Sequence, residues 1–348
     1  MRVVQVGCGK MSVYTMRYVL ERQGEIVGAY DINDRLIGKD VADIIGGQPL
    51  GIKIEHFRDM EQSLKRVKAD IAIITTQSLI ASLYPTLEIL ARNHVNAVSI
   101  GEELFYAWDS NPHLAQKIDE IAKAGGVTIT GSGYQDVSWG SMVTALAATA
   151  ASIKTIHGIS SYNLEDYGLE TASQHGAGLT MQQFEQQILR VNNVSQEEMN
   201  RLIQSGDFMP SYMWPVNGWV ASALHLHVTG ISQRAEATTY ANDLPSKTLG
   251  RTIPRGDATG LRTFITTETQ EGITIVTECI GNVFAPEDVD INEWRIEGEP
   301  NMRFVMENPA TVEMTCACAV NRLPDVLAAQ PGYVTSEKMP DLRFHRRF

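Results

Sequence analysis

Short apolar runs alternate with helical patterns over the first third of this 348-residue chain, and no other feature constrains its fold more. "RVVQVG" reads as a strand. "MSVYTMRYVLER" reads as a helix with Met11, Tyr14, Tyr18 and Val19 near one face. "EIVGAYD", "ADIAIITT", "VNAVSIG" and "GVTITGSG" follow as strands, and "LYPTLEILARNH" and "HLAQKIDEIAKAGG" as helices. "ADIAIITT" shows no polar alternation, as expected for a strand covered on both faces. This alternation predicts an α/β Rossmann fold, a doubly wound parallel sheet with helices on both faces.

After about residue 137 the rhythm changes. "TIHGISSYNLE", "RTFITTETQEGITIVTECIGNVF" and "EWRIEGEPNMRFVMEN" alternate like strands, the second with a hairpin around Glu271-Gly272. "TMQQFEQQILRVN" lies between them as a helix. The expected organisation is a dinucleotide-binding domain over 1–137 and a second α+β domain over 138–307 with a largely antiparallel sheet. Residues 308–348 are expected to pack back on the first domain, with "ATVEMTCACAVNRLPDVLAA" a helix broken near Pro324.

The net charge of −12 argues against nucleic acid or an anionic membrane surface as a partner. The one compact basic stretch, the tail "RFHRRF", reads as a solvated terminus. No run approaches the roughly 18 apolar residues of a membrane span, and no secretory signature opens the chain, so a cytoplasmic location is expected. Cys8, Cys279, Cys316 and Cys318 are scattered without a C-x-x-C pair and read as reduced, buried thiols. His225 and His227 in "LHLHV" fall apart on a helix, so no metal site is expected.

The turn after the first strand is Gly7-Cys8-Gly9-Lys10-Met11-Ser12, a G-x-G-x-x-G fingerprint with Ser in the third position. Backbone N–H groups of such a turn approach a pyrophosphate, helped by the helix N-terminus. Alone the motif is weak. Here it joins a strand to a helix, and Asp31 ends the next strand about twenty residues later. A carboxylate there accepts from the ribose hydroxyls and repels a 2′-phosphate, which favours NAD. Asn33 and Arg35 follow in the same loop. Arg35 can hold a 2′-phosphate, so use of NADP remains open.

"VNAVSIGEELFYAW" places Glu102 and Glu103 at the C-terminal end of a strand, where ligands of such sheets sit. Adjacent residues in extended backbone point to opposite sides, so one glutamate should face the cleft. A carboxylate beside a nicotinamide can deprotonate ammonium and stabilise an iminium cation. No Tyr has Lys four residues later, which argues against a short-chain alcohol dehydrogenase. Trp139, Tyr162 and Tyr167 either line an apolar pocket or fill a core.

Taken together, "VVQVGCGKM", "GEIVGAYDIN", "GKDV", the Glu pair, "GSGYQD", "SSYNLEDYG", "HGAGL" and "CAVNRLPDV" resemble the native NAD(P)-dependent amine dehydrogenases, which group with the 2,4-diaminopentanoate dehydrogenases. The resemblance spans nearly the whole chain. It implies a Rossmann domain, an α+β domain that also forms a homodimer interface, and interconversion of amines and carbonyl compounds. It implies Glu102, rather than Glu103, as the catalytic carboxylate. Trp139, Tyr162 and Tyr167 match the walls of the amine pocket. Gly7, Gly9, Lys10, Met11 and Asp31 match the cofactor site, and Asn321 in "VNRxP" is expected near the nicotinamide.

Where the diaminopentanoate enzymes carry a "GxNPG"-like stretch, this chain has Gly133-Tyr134-Gln135-Asp136, which favours simpler ketones or aldehydes with ammonia. Two alternatives stay open. One is a 2,4-diaminopentanoate dehydrogenase with an amino-acid clamp drawn from Arg251, Arg255 and Arg262. The other is a nucleotide-binding sensor without turnover.

Overall fold

The computed structural model describes residues 1–348. The first apolar run forms strand β1 (Arg2–Val6), followed by helix α1 (Lys10–Glu21) and β2 (Glu25–Asp31). Then come β3 (Ile54–His56), α2 (Met60–Val67), β4 (Ile71–Ile74), α3 (Ile80–Arg92), β5 (Asn96–Ser99), α4 (Pro112–Gly125) and β6 (Thr128–Gly131). The buried face of α1 is Ser12, Thr15, Met16 and Val19. Met11, Tyr14 and Tyr18, expected on that face, are only half-buried. Close packing on the sheet selects the small side chains, as the third fingerprint position requires.

A seven-residue π-helical stretch, Gln135–Ser141, follows β6. The second half of the chain then contributes β7 (Ser152–Asn163), α5 (Trp214–Ala223), β8 (Val228–Thr239), β9 (Leu244–Ser246), β10 (Arg251–Ile253), β11 (Ala258–Thr269), β12 (Thr274–Asn282), β13 (Ile291–Glu299) and β14 (Met302–Glu307). The chain returns through α6 (Thr311–Ala328) to β15 (Gly332–Tyr333).

Two compact units result. One comprises Met1–Met142 with Ala310–Phe348, the other Val143–Pro309. The first holds a seven-stranded parallel sheet in the order β15-β6-β5-β4-β1-β2-β3. Val4, Val6, Ala72 and Ile74 share a core with α3 and α4 on one face. Val3, Ile71, Ile73 and Val98 share a core with Met16 and Val19 of α1 and Ala319, Val320, Leu323 and Val326 of α6 on the other. The second unit holds a six-stranded sheet, β14-β13-β7-β12-β11-β8, antiparallel except for the parallel pair β7–β12. Asn217 of α5 donates to Thr267 Oγ1 and accepts from Thr277 Oγ1, which fixes α5 on one face of that sheet.

Three expectations change. Helix α6 runs unbroken through Pro324, because its buried stripe on the sheet outweighs the one backbone hydrogen bond that proline forfeits. The stretch "TMQQFEQQILRVN" is helical but interrupted by a π-helical turn over Glu185–Leu189. The tail keeps Arg343, Arg346 and Arg347 in solvent, as expected, but its backbone is pinned at the end. The Phe348 backbone N–H donates to the Arg22 carbonyl at 3.1 Å, and the Arg22 guanidinium lies 5.4 Å from the Phe344 ring centre.

Arg322 joins the returning helix to the π-helical stretch that follows β6. Its Nε and Nη2 meet Asp136 Oδ2 and Oδ1 at 3.0 and 2.9 Å, and both side chains are almost wholly inaccessible to water. Asp136 Oδ2 also accepts from Ser132 Oγ, and Arg322 Nη1 donates to Asp325 and to the Pro340 carbonyl. Removing one partner strands the other charge in the core. Arg322→Met should therefore lower unfolding free energy by about 3–5 kcal/mol in urea denaturation. The double variant with Asp136→Asn should recover part of that loss, and an additive double loss would show that the pair is not coupled.

Candidate active site

Gly7 ends β1 at φ +85°, and a side chain there would meet Thr76 Cγ2 at 2.7 Å. Both facts demand glycine. Gly9 N-caps α1 without a side-chain cap, and a Cβ there would meet nothing within 4 Å. The turn thus presents bare helix N–H groups to open space, which suits a pyrophosphate. Buried side chains brace it from below. Gln5 Nε2 donates to the Gly7 carbonyl and to Thr75 Oγ1, both at 3.0 Å, and Gln5 Oε1 accepts from Thr15 Oγ1 at 2.7 Å. Ser12 Oγ donates to the Gly9 carbonyl at 2.7 Å.

Asp31 is wired to this turn. Its Oδ2 accepts from the Cys8 N–H at 2.6 Å and its Oδ1 from the Asn33 N–H at 2.7 Å. Each oxygen keeps a lone pair for a ribose hydroxyl. Burial, with the Asp31 charge, pushes the Cys8 thiol up to about 12, so it is no nucleophile. Lys10, Asn33 and Arg35 are exposed, and Met11 is half-buried. Asn321 is buried on α6, where its Oδ1 accepts from the His345 N–H at 3.3 Å.

The two glutamates do not sit in extended backbone. Glu102–Phe105 is a 3₁₀ turn, so strand alternation is not what separates them. Their hydrogen bonds do. Glu103 is buried, with Oε2 accepting from the Ile80 N–H at 2.8 Å and Oε1 from Ser110 Oγ at 2.6 Å. It caps the first turn of α3. Glu102 is half-buried and receives the Ser78 hydroxyl, and desolvation raises its pKa despite that bond. Ser78 serves both, since its carbonyl accepts from the Glu103 N–H at 3.1 Å.

Glycines let the neighbouring loops close on this turn. A Cβ on Gly101 would lie 2.4 Å from the Gln77 carbonyl oxygen, and one on Gly131 would lie 2.4 Å from the backbone of Leu104 and Phe105. The ends of β4, β5 and β6 are therefore in direct contact around Glu102.

Trp139 is buried in the π-helical stretch after β6, edge-on to Tyr134 at 5.6 Å. Single π-helical turns are frequent at functional sites. Tyr162 and Tyr167 belong to the second unit. Their rings meet edge-on at 5.4 Å, and Tyr162 also contacts His175 and Tyr212. Two of the proposed clamp arginines are already engaged. Arg251 donates to the Gly178 carbonyl, and Arg262 pairs with Glu278. Arg255 is exposed. His227 pairs with Glu271 at 2.6 Å.

Sequence reasoning missed the capping role of Glu103, the Asp136–Arg322 pair and the place of His175. Asp136, Arg322 and His175 all stand in motifs quoted above, but their spacing along the chain gives no sign of their partners.

A family model for the 2,4-diaminopentanoate dehydrogenase C-terminal domain matches residues 138–345. The chain belongs to the 2,4-diaminopentanoate dehydrogenase family. The 2,4-diaminopentanoate dehydrogenase of Acetoanaerobium sticklandii is 23% identical to it over 351 residues, covering 97% of this chain and 93% of the relative. The amine dehydrogenase from Mycobacterium smegmatis is 33% identical and superposes with a TM-score of 0.87, covering 100% of this chain and 98% of that one. A probable dehydrogenase from Thermotoga maritima shares the fold at 10% identity and a TM-score of 0.60, covering 97% and 92%. This family member is an enzyme, an oxidoreductase of the amine-dehydrogenase type, which sets the sensor reading aside.

Capping by Glu103 can be tested directly. Glu103→Ala leaves the Ile80 N–H and the Ser110 hydroxyl without an acceptor, so it should cost about 2–3 kcal/mol of stability. Glu103→Gln keeps one acceptor oxygen and should cost about half as much or less. Equal losses in urea denaturation would refute the cap.

Proposed function

We propose that this enzyme catalyses reversible reductive amination of small ketones and aldehydes with ammonia, using a nicotinamide cofactor, with Glu102 as the catalytic carboxylate. One observation carries the reading: a desolvated carboxylate stands at the C-terminal end of β5, on the same sheet edge as the Gly7–Gly9 turn and Asp31. The cofactor, when bound, supplies or accepts a hydride. Gly7, Gly9, Lys10 and Met11 would hold its pyrophosphate, and Asp31, Asn33 and Arg35 would meet the adenosine ribose. Asn321 is the proposed neighbour of the nicotinamide.

Glu102 draws ammonium into the site and takes its proton, which leaves ammonia free to attack the carbonyl carbon. Glu102 returns that proton to the hydroxyl of the carbinolamine, which leaves as water, and the carboxylate, charged again, faces the iminium. A pKa above the ordinary carboxylate range suits a base that must both take and return a proton. Trp139 is proposed to limit substrate size on the first unit, and Tyr162 and Tyr167 to contact substrate on the second.

The diaminopentanoate reading is the alternative, favoured by the family match and the A. sticklandii relative. The prior engagement of Arg251 and Arg262 weighs against it. We further propose a cytoplasmic homodimer. In the second unit, the sheet face opposite α5 interleaves half-buried Ile159, Val276, Ile280 and Val305 with the ion pairs His157–Glu278 and Arg303–Glu293, a mixed surface suited to a second copy.

Glu102→Gln should reduce amination about 10²–10³-fold with cofactor affinity unchanged. In the wild type the carboxylate is the active form, so the rate falls as pH drops through its raised pKa, and the Gln variant lacks that limb. Steady-state rates against pH, with NADH titration as control, decide the matter, and a mild loss with the limb retained would refute the assignment.

Asp31→Ala should shift preference from NADH toward NADPH, since it removes a like-charge repulsion worth on the order of 1–3 kcal/mol. It also releases the Cys8 N–H, so affinity for both cofactors should fall somewhat. An unchanged ratio of the two KM values would displace Asp31 from the ribose.

A further inference from the structure

His175 opens the "HGAGL" motif and is buried in the second unit. Its Nδ1 lies 2.8 Å from the Thr171 carbonyl oxygen, and its Nε2 lies 2.6 Å from the Tyr162 hydroxyl. A carbonyl oxygen can only accept, so Nδ1 carries the proton. In a neutral imidazole Nε2 is then bare and accepts from the phenol. Burial lowers the His175 pKa and keeps the ring neutral.

The contact is tightly set. Tyr162 and His175 rings meet edge-on at 5.7 Å, and Tyr212 lies 6.5 Å from each. Gly281 leaves the necessary room, since a Cβ there would come within 2.7 Å of both His175 Cδ2 and the Tyr162 oxygen.

From this geometry we infer that His175 is a positioning residue that makes Tyr162 an obligate hydrogen-bond acceptor, so that the enzyme recognises the N–H groups of its amine partner and not the oxygen of its carbonyl partner. With its proton committed to His175, the phenol oxygen can meet any further group only through a lone pair. Ammonium, a primary amine and an iminium all present N–H donors. A ketone or aldehyde presents only acceptor lone pairs, which the phenol oxygen repels. An unconstrained tyrosine would rotate its hydroxyl and serve both classes. The inference rests on the proposed reading of Tyr162 as a substrate contact and adds the direction of its hydrogen bond.

The test separates the two substrates of one reversible reaction. KM is measured for butan-2-amine with NAD⁺ and for butan-2-one with NADH and ammonium. Binding of butan-2-amine to the enzyme without turnover is measured by calorimetry. His175→Ala frees the phenol to donate, so it should lower the ketone KM about 3- to 10-fold, the weight of one neutral hydrogen bond, and leave the amine KM and Kd within about 2-fold. Tyr162→Phe removes the accepting oxygen, so it should raise the amine KM and Kd about 3- to 10-fold and leave the ketone KM within about 2-fold, and the double variant should behave as Tyr162→Phe alone. His175→Gln, whose amide oxygen reaches the Nε2 position, should keep the wild-type values for both substrates.

Equal effects on amine and ketone would overturn the inference. So would a Tyr162→Phe variant with unchanged amine binding, a His175→Ala variant with an unchanged ketone KM, or a His175→Gln variant that behaves like His175→Ala. A wild type that oxidises no amine with NAD⁺ or NADP⁺ would overturn the amine dehydrogenase reading itself, a result distinct from a missing split.

Discussion

The buried pair of Asp136 and Arg322 is the constraint on which the first unit depends. It ties together residues 186 positions apart in the chain. Without a partner for each charge, burying either the π-helical stretch after β6 or helix α6 in the dry core would be strongly unfavourable. Once the pair forms, three things follow. Helix α6 completes one face of the parallel sheet, which tolerates Pro324 in its interior. The π-helical stretch holding Trp139 starts from a fixed point. Asn321, the residue before Arg322, is set beside the docked tail.

The adjacent glutamates divide their work by solvation and hydrogen bonding rather than by direction along a strand. Glu103 has both oxygens committed to groups that need an acceptor, the N–H at the start of α3 and the Ser110 hydroxyl. Such a carboxylate is structural. Glu102 keeps chemical freedom because Ser78 is the one side chain that supports it, and burial raises its pKa. Gly101 and Gly131 make the arrangement possible by letting three loop backbones approach where any side chain would clash. The same economy governs the glycine turn after β1, where Gln5, Thr15 and Thr75 fix the Gly7 carbonyl from beneath and leave the outer surface bare.

The second unit organises a different kind of group. Its polar aromatic residues are directed by hydrogen bonds to backbone and to one another, not by charge. Thr171 sets the tautomer of His175, and His175 sets the proton of Tyr162. Chains of this sort turn a side chain with two possible roles into one with a single role.

Much of this was legible in the residues alone. The strand–helix rhythm determined the parallel sheet, because period-2 and period-3.6 patterns are local properties of the chain. The glycine turn and Asp31 stood out for the same reason, and the structure joins them through the Cys8 N–H. The antiparallel sheet, with its hairpin near Gly272, was equally readable. Only the tertiary structure decided which glutamate caps a helix, why Arg322 is buried, that the tail is docked, that α6 passes Pro324 without breaking, and which way Tyr162 donates. Each of these depends on a partner far away in sequence. Burial converts such a distant contact into an energy large enough to overrule local propensity, and one sequence read along its length does not show who meets whom.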